Sequence, residues 1–148
     1  MSVQSIPFAR LAGLLALSVL PLNGAAAEIV VRVSGVTAAN GEIGCALFER
    51  DTGFPMDNTS ARVRWQAAAA EGVTCRFADV VPGRYAVSVV HDLNGNRRVD
   101  TNLIGLPTEA WGVSNGVRPT LRAPRFDEAA FVVKDNDGDT VLDVAVGR

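Results

Sequence analysis

The chain has 148 residues, 14 basic and 16 acidic, for a net charge of −2 at pH 7, and 48% of its residues are hydrophobic. With no single-sign block of charges, this balance argues against a nucleic-acid binder, which would show a basic patch or stripe. A lone histidine, His91, excludes a three-histidine zinc site.

Residues 1–27 read as an export leader. Arg10 supplies the positive charge, the run from Leu11 to Leu22 supplies an apolar stretch, and Ala25 and Ala27 form an A-x-A cleavage site. The run is well short of the roughly 20 residues a membrane helix needs. Cleavage after Ala27 makes Glu28 the new N-terminus. No cysteine follows the apolar run, so no lipid anchor is expected. The mature chain is expected to be soluble, periplasmic or secreted, without a membrane span. Residues 28–148 then form a single domain, large enough to bury roughly two-thirds of its unfolded surface. Loss of Arg10 shifts the net charge to −3.

The mature chain alternates apolar and polar residues over short segments, the period of strands. Ile29, Val31 and Val33 share one face of a first strand. Asn40-Gly41 suits a hairpin turn to the second, on which Ile43, Cys45 and Leu47 share a face. Val63 and Trp65 oppose Arg62, Arg64 and Gln66, and the stretch around Ala67 to Ala70 is the one plausible helix. Val73, Cys75 and Phe77 form the next face, then Tyr85, Val87 and Val89. Phe131 to Lys134 and Thr140 to Val146 flank the turn-rich stretch Asp135 to Asp139, which suits a final hairpin whose aspartates are solvated. The pattern predicts an all-β fold, an immunoglobulin-like or prealbumin-like sandwich of about seven strands with one long Gly/Pro-rich loop. The expected core is Val31, Val33, Leu47, Val63, Trp65, Phe77, Tyr85, Val87, Val89, Phe131, Val133, Leu142 and Val144.

Export delivers the two cysteines to an oxidising compartment, and both Cys45 and Cys75 are expected to face the core. A bridge closing about 31 residues would add roughly 3 to 4 kcal/mol on the chain-entropy account. Two buried free thiols are the alternative. The spacing excludes a CxxC redox pair.

From Leu93 to Arg125 no strand or helix pattern is expected, and so long a structureless stretch is uncommon inside a domain. Its apolar content, with Leu103, Ile104, Leu106, Trp111, Val113 and Leu121, argues against disorder. A staple stands at its start. Asp92, Asn94, Asn96, Arg98 and Asp100 follow the odd-position spacing of an EF-hand-type calcium loop, with side-chain oxygens from Asp92, Asn94 and Asn96, the carbonyl of Arg98 and a contact from Asp100. Arg97 stands where an EF-hand has glycine and Leu103 where it has glutamate, a place Glu109 is expected to fill by folding back. A cofactor role for calcium is the expectation, against the alternative of a tight turn at Asn94-Gly95.

These residues also carry a resemblance. Val80-Val81-Pro82-Gly83-Arg84-Tyr85-Ala86-Val87 and His91-Asp92-Leu93-Asn94-Gly95-Asn96 are similar to the bacterial family of domain of unknown function 2141. Asp100-Thr101-Asn102, Gly105-Leu106-Pro107-x-Glu109, Gly112-Val113-Ser114-Asn115 and Phe126-Asp127-Glu128-Ala129-Ala130-Phe131 follow in that family's order. Departures are Arg97 for glycine, Trp111 for tyrosine and Val113 for phenylalanine. The resemblance implies an exported β-sandwich and carries over no catalytic residue.

Gly112-x-Ser114-x-Gly116 matches a hydrolase nucleophile elbow in letters only, since the sole histidine lies upstream and no helix is expected after it. His91 and Asp92, adjacent on a strand, point to opposite faces. The favoured class is therefore a non-enzymatic binding or cell-envelope module with a glycan or protein as its partner. Trp111 is the candidate ligand-binding residue, stacking on a sugar or peptide, or else an inward anchor for the loop.

Overall fold

The computed structural model describes residues 27–135 and 138–148. The expected leader up to Ala26, and Asn136 and Asp137, lie outside them. Eight strands are present: β1 (Ala27–Ser34), β2 (Glu42–Phe48), β3 (Arg62–Ala67), β4 (Val73–Val80), β5 (Gly83–Asp92), β6 (Ala110–Val113), β7 (Phe131–Val133) and β8 (Thr140–Ala145). A single helical turn, α1 (Phe126–Ala129), precedes β7. The strands form two sheets in a sandwich-like arrangement. One has the order β4-β1-β8; the other runs β3-β2-β5-β6, with β7 also paired to β5.

Alternation explains the inner layer. Ile29, Val31 and Val33 on β1, Ile43, Cys45 and Leu47 on β2, Cys75 and Phe77 on β4, and Tyr85, Val87 and Val89 on β5 pack into one cluster between the sheets. Burial of each Val, Leu, Ile or Phe contributes about 1.5–3 kcal/mol. Cys45 and Cys75 are bonded, with Cα atoms 6.4 Å apart, so the bridge ties β2 of one sheet to β4 of the other. At the start of β1 the register slips, because Ala27 faces Val80 while Ile29 faces Phe77. The extra residue on β4 is accommodated by Asp79 at φ 56°, as a β-bulge.

Four expectations are corrected. Asn40-Gly41 joins strands of different sheets, since β1 pairs with β4 and β8 while β2 pairs with β3 and β5. The final two strands are not a hairpin either: β7 is antiparallel to β5 and β8 parallel to β1. Turn residues fix where the chain reverses but not which strand it meets next. The helix expected near Ala67 to Ala70 is the end of β3 and a turn; helical backbone occurs at Asn58–Ser60 and Phe126–Ala129 instead. Val63 and Trp65 are only partly buried and face away from the inner core. On β3 the inward side chains are polar: Arg62 donates to the Ala78 carbonyl and Gln66 to the Thr74 carbonyl at 2.7 Å. The Arg62 and Arg64 guanidiniums lie 6.0 and 5.7 Å from the Phe77 ring centre, so their stems close the open side of the sandwich.

The five-stranded sheet is apolar on its outer face as well. Ala46, Phe48, Ala86 and Val113 pack there with Phe126 and Ala129 of α1, and Phe54 and Trp111 border them. Phe54 meets Phe48 and Phe126 edge-on, with centroids 5.2 and 5.9 Å apart. Loops and α1, rather than a third sheet, cover this layer.

Candidate functional site

The site is built on the outer face of β5 and β6. Ser88 pairs with Val113, and Val90 with Trp111, so these four side chains share that face. The neighbouring Gly112 points inward, where a β-carbon would collide with the Ala145 carbonyl. The contact brings β6 against the end of β8, and Trp111 exchanges two backbone hydrogen bonds with Gly147, at 2.9 and 3.1 Å. Trp111 is thus fixed from both sides by its own backbone.

Over this floor lies a cavity of about 370 Å³. Its walls come from three connections: Pro55 and Met56 after β2, Val99, Leu106 and Pro107 after β5, and Arg118 to Pro124 after β6. The volume is in the lower part of the range of small-molecule sites, about 300–1,000 Å³. The Arg118 guanidinium stacks on the Trp111 ring at 4.2 Å from its centre and donates to the Trp111 carbonyl. The stretch from Leu93 to Arg125 is therefore not structureless: it contains β6 and the turn at Ser114–Gly116. Its apolar side chains divide, with Val113 buried and Trp111 and Leu106 half-buried in the cavity wall, while Leu103, Ile104 and Leu121 stand fully in solvent.

Two knots of hydrogen bonds hold the walls. The first is the expected calcium loop, and it is not a metal site. Asp92 is buried and accepts from the Gly95 and Arg97 amides at 2.8 and 2.6 Å. Asn94 and Asn96 accept from the amides of Asn96 and Arg98, at 3.0 and 2.8 Å, and donate their side-chain NH₂ groups to the two oxygens of Asp100. Glu109 folds back as expected, but to accept from the Leu93 amide at 2.9 Å. Its other oxygen, Oε2, is buried without a partner among the described residues. One unspent oxygen falls far short of the six to eight that calcium takes. Among the described residues no three His, Cys, Asp or Glu side chains gather to hold a metal ion. Asp92, Asn94, Asn96, Arg98 and Asp100 are instead a turn closed by its own hydrogen bonds, Glu109 ties its start through the Leu93 amide, and calcium is withdrawn as a cofactor. Spacing alone could not separate the cases, because Asx turns and EF-hand loops place the same oxygens at odd positions.

Arg97, where the resemblance has glycine, sits in the left-handed region at φ 57°, which glycine enters without cost. Its guanidinium forms a forked pair with Glu42, both contacts 2.9 Å, and lies over the Trp65 ring at 5.7 Å. Through those hydrogen bonds Glu42 is held below the usual carboxylate range and Arg97 above the usual guanidinium value. Trp65 in turn covers Gly44, where no β-carbon would fit.

The second knot is the Gly112 to Gly116 stretch. Ser114 is buried, accepts from the Val87 amide at 3.0 Å and donates to the Ala129 carbonyl at 2.6 Å. Asn115, at φ 63°, donates to the carbonyls of Glu128 and Ala130, both 3.1 Å. His91 bonds through Nε2 to the Asn40 carbonyl at 2.8 Å. Ser114 thus ties α1 to β5 and has no histidine beside it. Glu128 completes the knot by accepting from the Arg125 amide and from both terminal nitrogens of Arg122, at 2.6 to 2.8 Å. The Arg122 hydrogen bond, followed by that from the Arg125 amide, holds the Glu128 carboxyl down to about 2.

Sequence reasoning found Trp111 but missed Val90, Arg118 and the Pro55-Met56 wall. A usable signal was present: β2 and β5 are apolar on both faces, as in Gly44-Cys45-Ala46-Leu47-Phe48 and Tyr85-Ala86-Val87, the mark of a strand covered on both sides. No helix among the described residues is long and apolar enough to cross a membrane. No curated protein and no solved structure matches the chain. Residues 31–141, most of the chain, match the family described as uncharacterized protein conserved in bacteria (DUF2141), and the chain belongs to that family.

Proposed function

We propose that this is an exported, non-enzymatic binding module, periplasmic or secreted. The leader is removed after Ala27, and residues 28–148 act as one immunoglobulin-like or prealbumin-like domain. The observation that carries the reading is the cavity of about 370 Å³ floored by Val90, Trp111 and Val113. Its apolar lining with a few convergent polar groups is the composition of a small-ligand site, and a rigid sheet with recognition carried on loops is how sandwiches are commonly used. The family's motifs support it further. Asp92 to Asp100 and Gly112 to Asn115 are spent on fixing the loops that wall this cavity, with no reacting group exposed.

A ligand-observed NMR fragment screen of the mature protein tests the reading, repeated on Trp111→Ala and Leu106→Asp, neither of which touches the inner core. Hits that bind the native protein and are lost in both variants are expected. Hits that bind all three proteins alike place the ligand elsewhere and overturn the assignment.

A further inference from the structure

Resting on that cavity as the binding site, we propose that its ligand is a single-chain amphiphile with an acidic head, the apolar chain lying on the cavity floor and the acid group against Arg118. The argument begins with charge. The lining includes Arg118, Arg122 and Arg148 and no aspartate or glutamate. Arg122 is neutralised by its forked pair with Glu128. Arg118 is not: among the described residues no carboxylate pairs with it, and what holds it is the Trp111 ring and carbonyl. A guanidinium oriented by stacking keeps its remaining N–H groups in a fixed plane, the arrangement that suits a carboxylate or similar oxyanion.

The rest of the lining is mostly apolar, Ser88 and Thr120 being its hydroxyl-bearing side chains. Pro55, Met56, Val90, Val99, Leu106 and Pro124 offer no hydrogen-bonding side chain, which disfavours a sugar, whose hydroxyls would be buried without partners. The cavity, about 370 Å³, lies in the lower part of the small-ligand range, so a medium-length chain acid, decanoate, is the probe. Outside the cavity, three exposed aliphatic side chains stand on the loops that wall it. Leu103 and Ile104 occupy the turn closed by the Asn102 amide on the Leu106 carbonyl, and Leu121 lies between the lining residues Thr120 and Arg122. None of the three lines the cavity itself, and together they leave aliphatic surface exposed on those loops.

The test is calorimetric titration of the mature protein with decanoate below its micellar range, with decanol and with acetate. Decanoate is expected to bind, decanol more weakly and acetate not at all. Arg118→Gln should weaken decanoate about tenfold or more, the scale of a lost charge-assisted hydrogen bond, and leave decanol unchanged. Arg118→Lys should recover part of the loss, and an unaltered thermal midpoint in both variants shows that folding is intact. Decanol and decanoate binding equally, with no response to Arg118→Gln, overturns the acid-head assignment while leaving the cavity as the site. No binding of either chain, together with an empty fragment screen, overturns both. The Leu103→Ser/Ile104→Ser variant separates two sources of the same chemistry. Slower uptake of the acid from phosphatidylcholine vesicles with unchanged monomer affinity supports the ligand coming from a lipid layer; unchanged uptake supports the free acid.

Discussion

On its inner face the five-stranded sheet meets a second sheet; on its outer face it meets loops and one helical turn. The inner layer is closed by strand alternation, the Cys45–Cys75 bridge and fully buried Phe77, Leu47 and Val87. The outer layer is smaller, and its cover is fastened by hydrogen bonds through Ser114, Asn115, Asp92 and Glu128 in addition to the Phe48, Phe54 and Phe126 packing. Apolar packing without a polar fastening leaves no room for a ligand, because interiors fill to crystal density. A roof held up by directional bonds can leave a cavity beneath it, and a cavity of ligand size lies on that side.

The comparison is broken most severely from the inner side. Phe77→Ala is expected to cost about 3–5 kcal/mol, read as a shifted urea midpoint with the unfolding of both layers together. A loss under 1 kcal/mol would show that the bridge rather than packing carries the inner layer. From the outer side, Ser114→Ala strands the buried Val87 amide and the Ala129 carbonyl. It should cost about 1–3 kcal/mol, with amide exchange accelerated through α1 and the cavity wall before β1 and β4 are affected. Uniform acceleration would mean that the layers are one cooperative unit.

The smallest effect is acid-driven and separates the layers without mutation. Glu128 titrates near 2 in the folded chain against about 4.5 unfolded. Its contribution is complete above pH 4.5 and is lost as pH falls toward 2, since the unfolded state then binds the proton more readily. The urea midpoint should therefore fall as pH drops through that window in the native chain, and Glu128→Gln should remove this part of its pH dependence. The inner layer's circular-dichroism signal is expected to stay flat across it.

Legibility in the sequence follows the same division. Period-two alternation identified the inner faces of β1, β2, β4 and β5 and both cysteines, because one buried face leaves a two-residue signal. It failed where a strand is covered on both sides or is very short. β6 has four residues, one of them Gly112, and Gly44 to Phe48 reads as a continuous apolar run. It also chose the wrong side for β3, where the aromatic residue faces out over Gly44 and arginine stems face in. Of the residues around the cavity the sequence singles out Trp111, an aromatic in a Gly/Pro-rich stretch, but the cavity is assembled from three connections far apart in the chain. The oxygens of Asp92 to Asp100 were read correctly as positions and wrongly as ligands, since backbone amides from the same turn had already claimed them.

The pairing of β1 with β8 has a consequence for how the molecule is made. Ile29 lies beside Thr140 and Val33 beside Val144, in parallel register, while β1's other edge waits for β4. The first strand is thus the middle of its sheet, and both of its neighbours lie far along the chain. Contacts spanning so much of the chain make for slow closure, and β1 holds unpaired, Val-rich edges until β4 and β8 reach it. Until both have docked, the strand at the centre of the sheet is open to pairing with another chain.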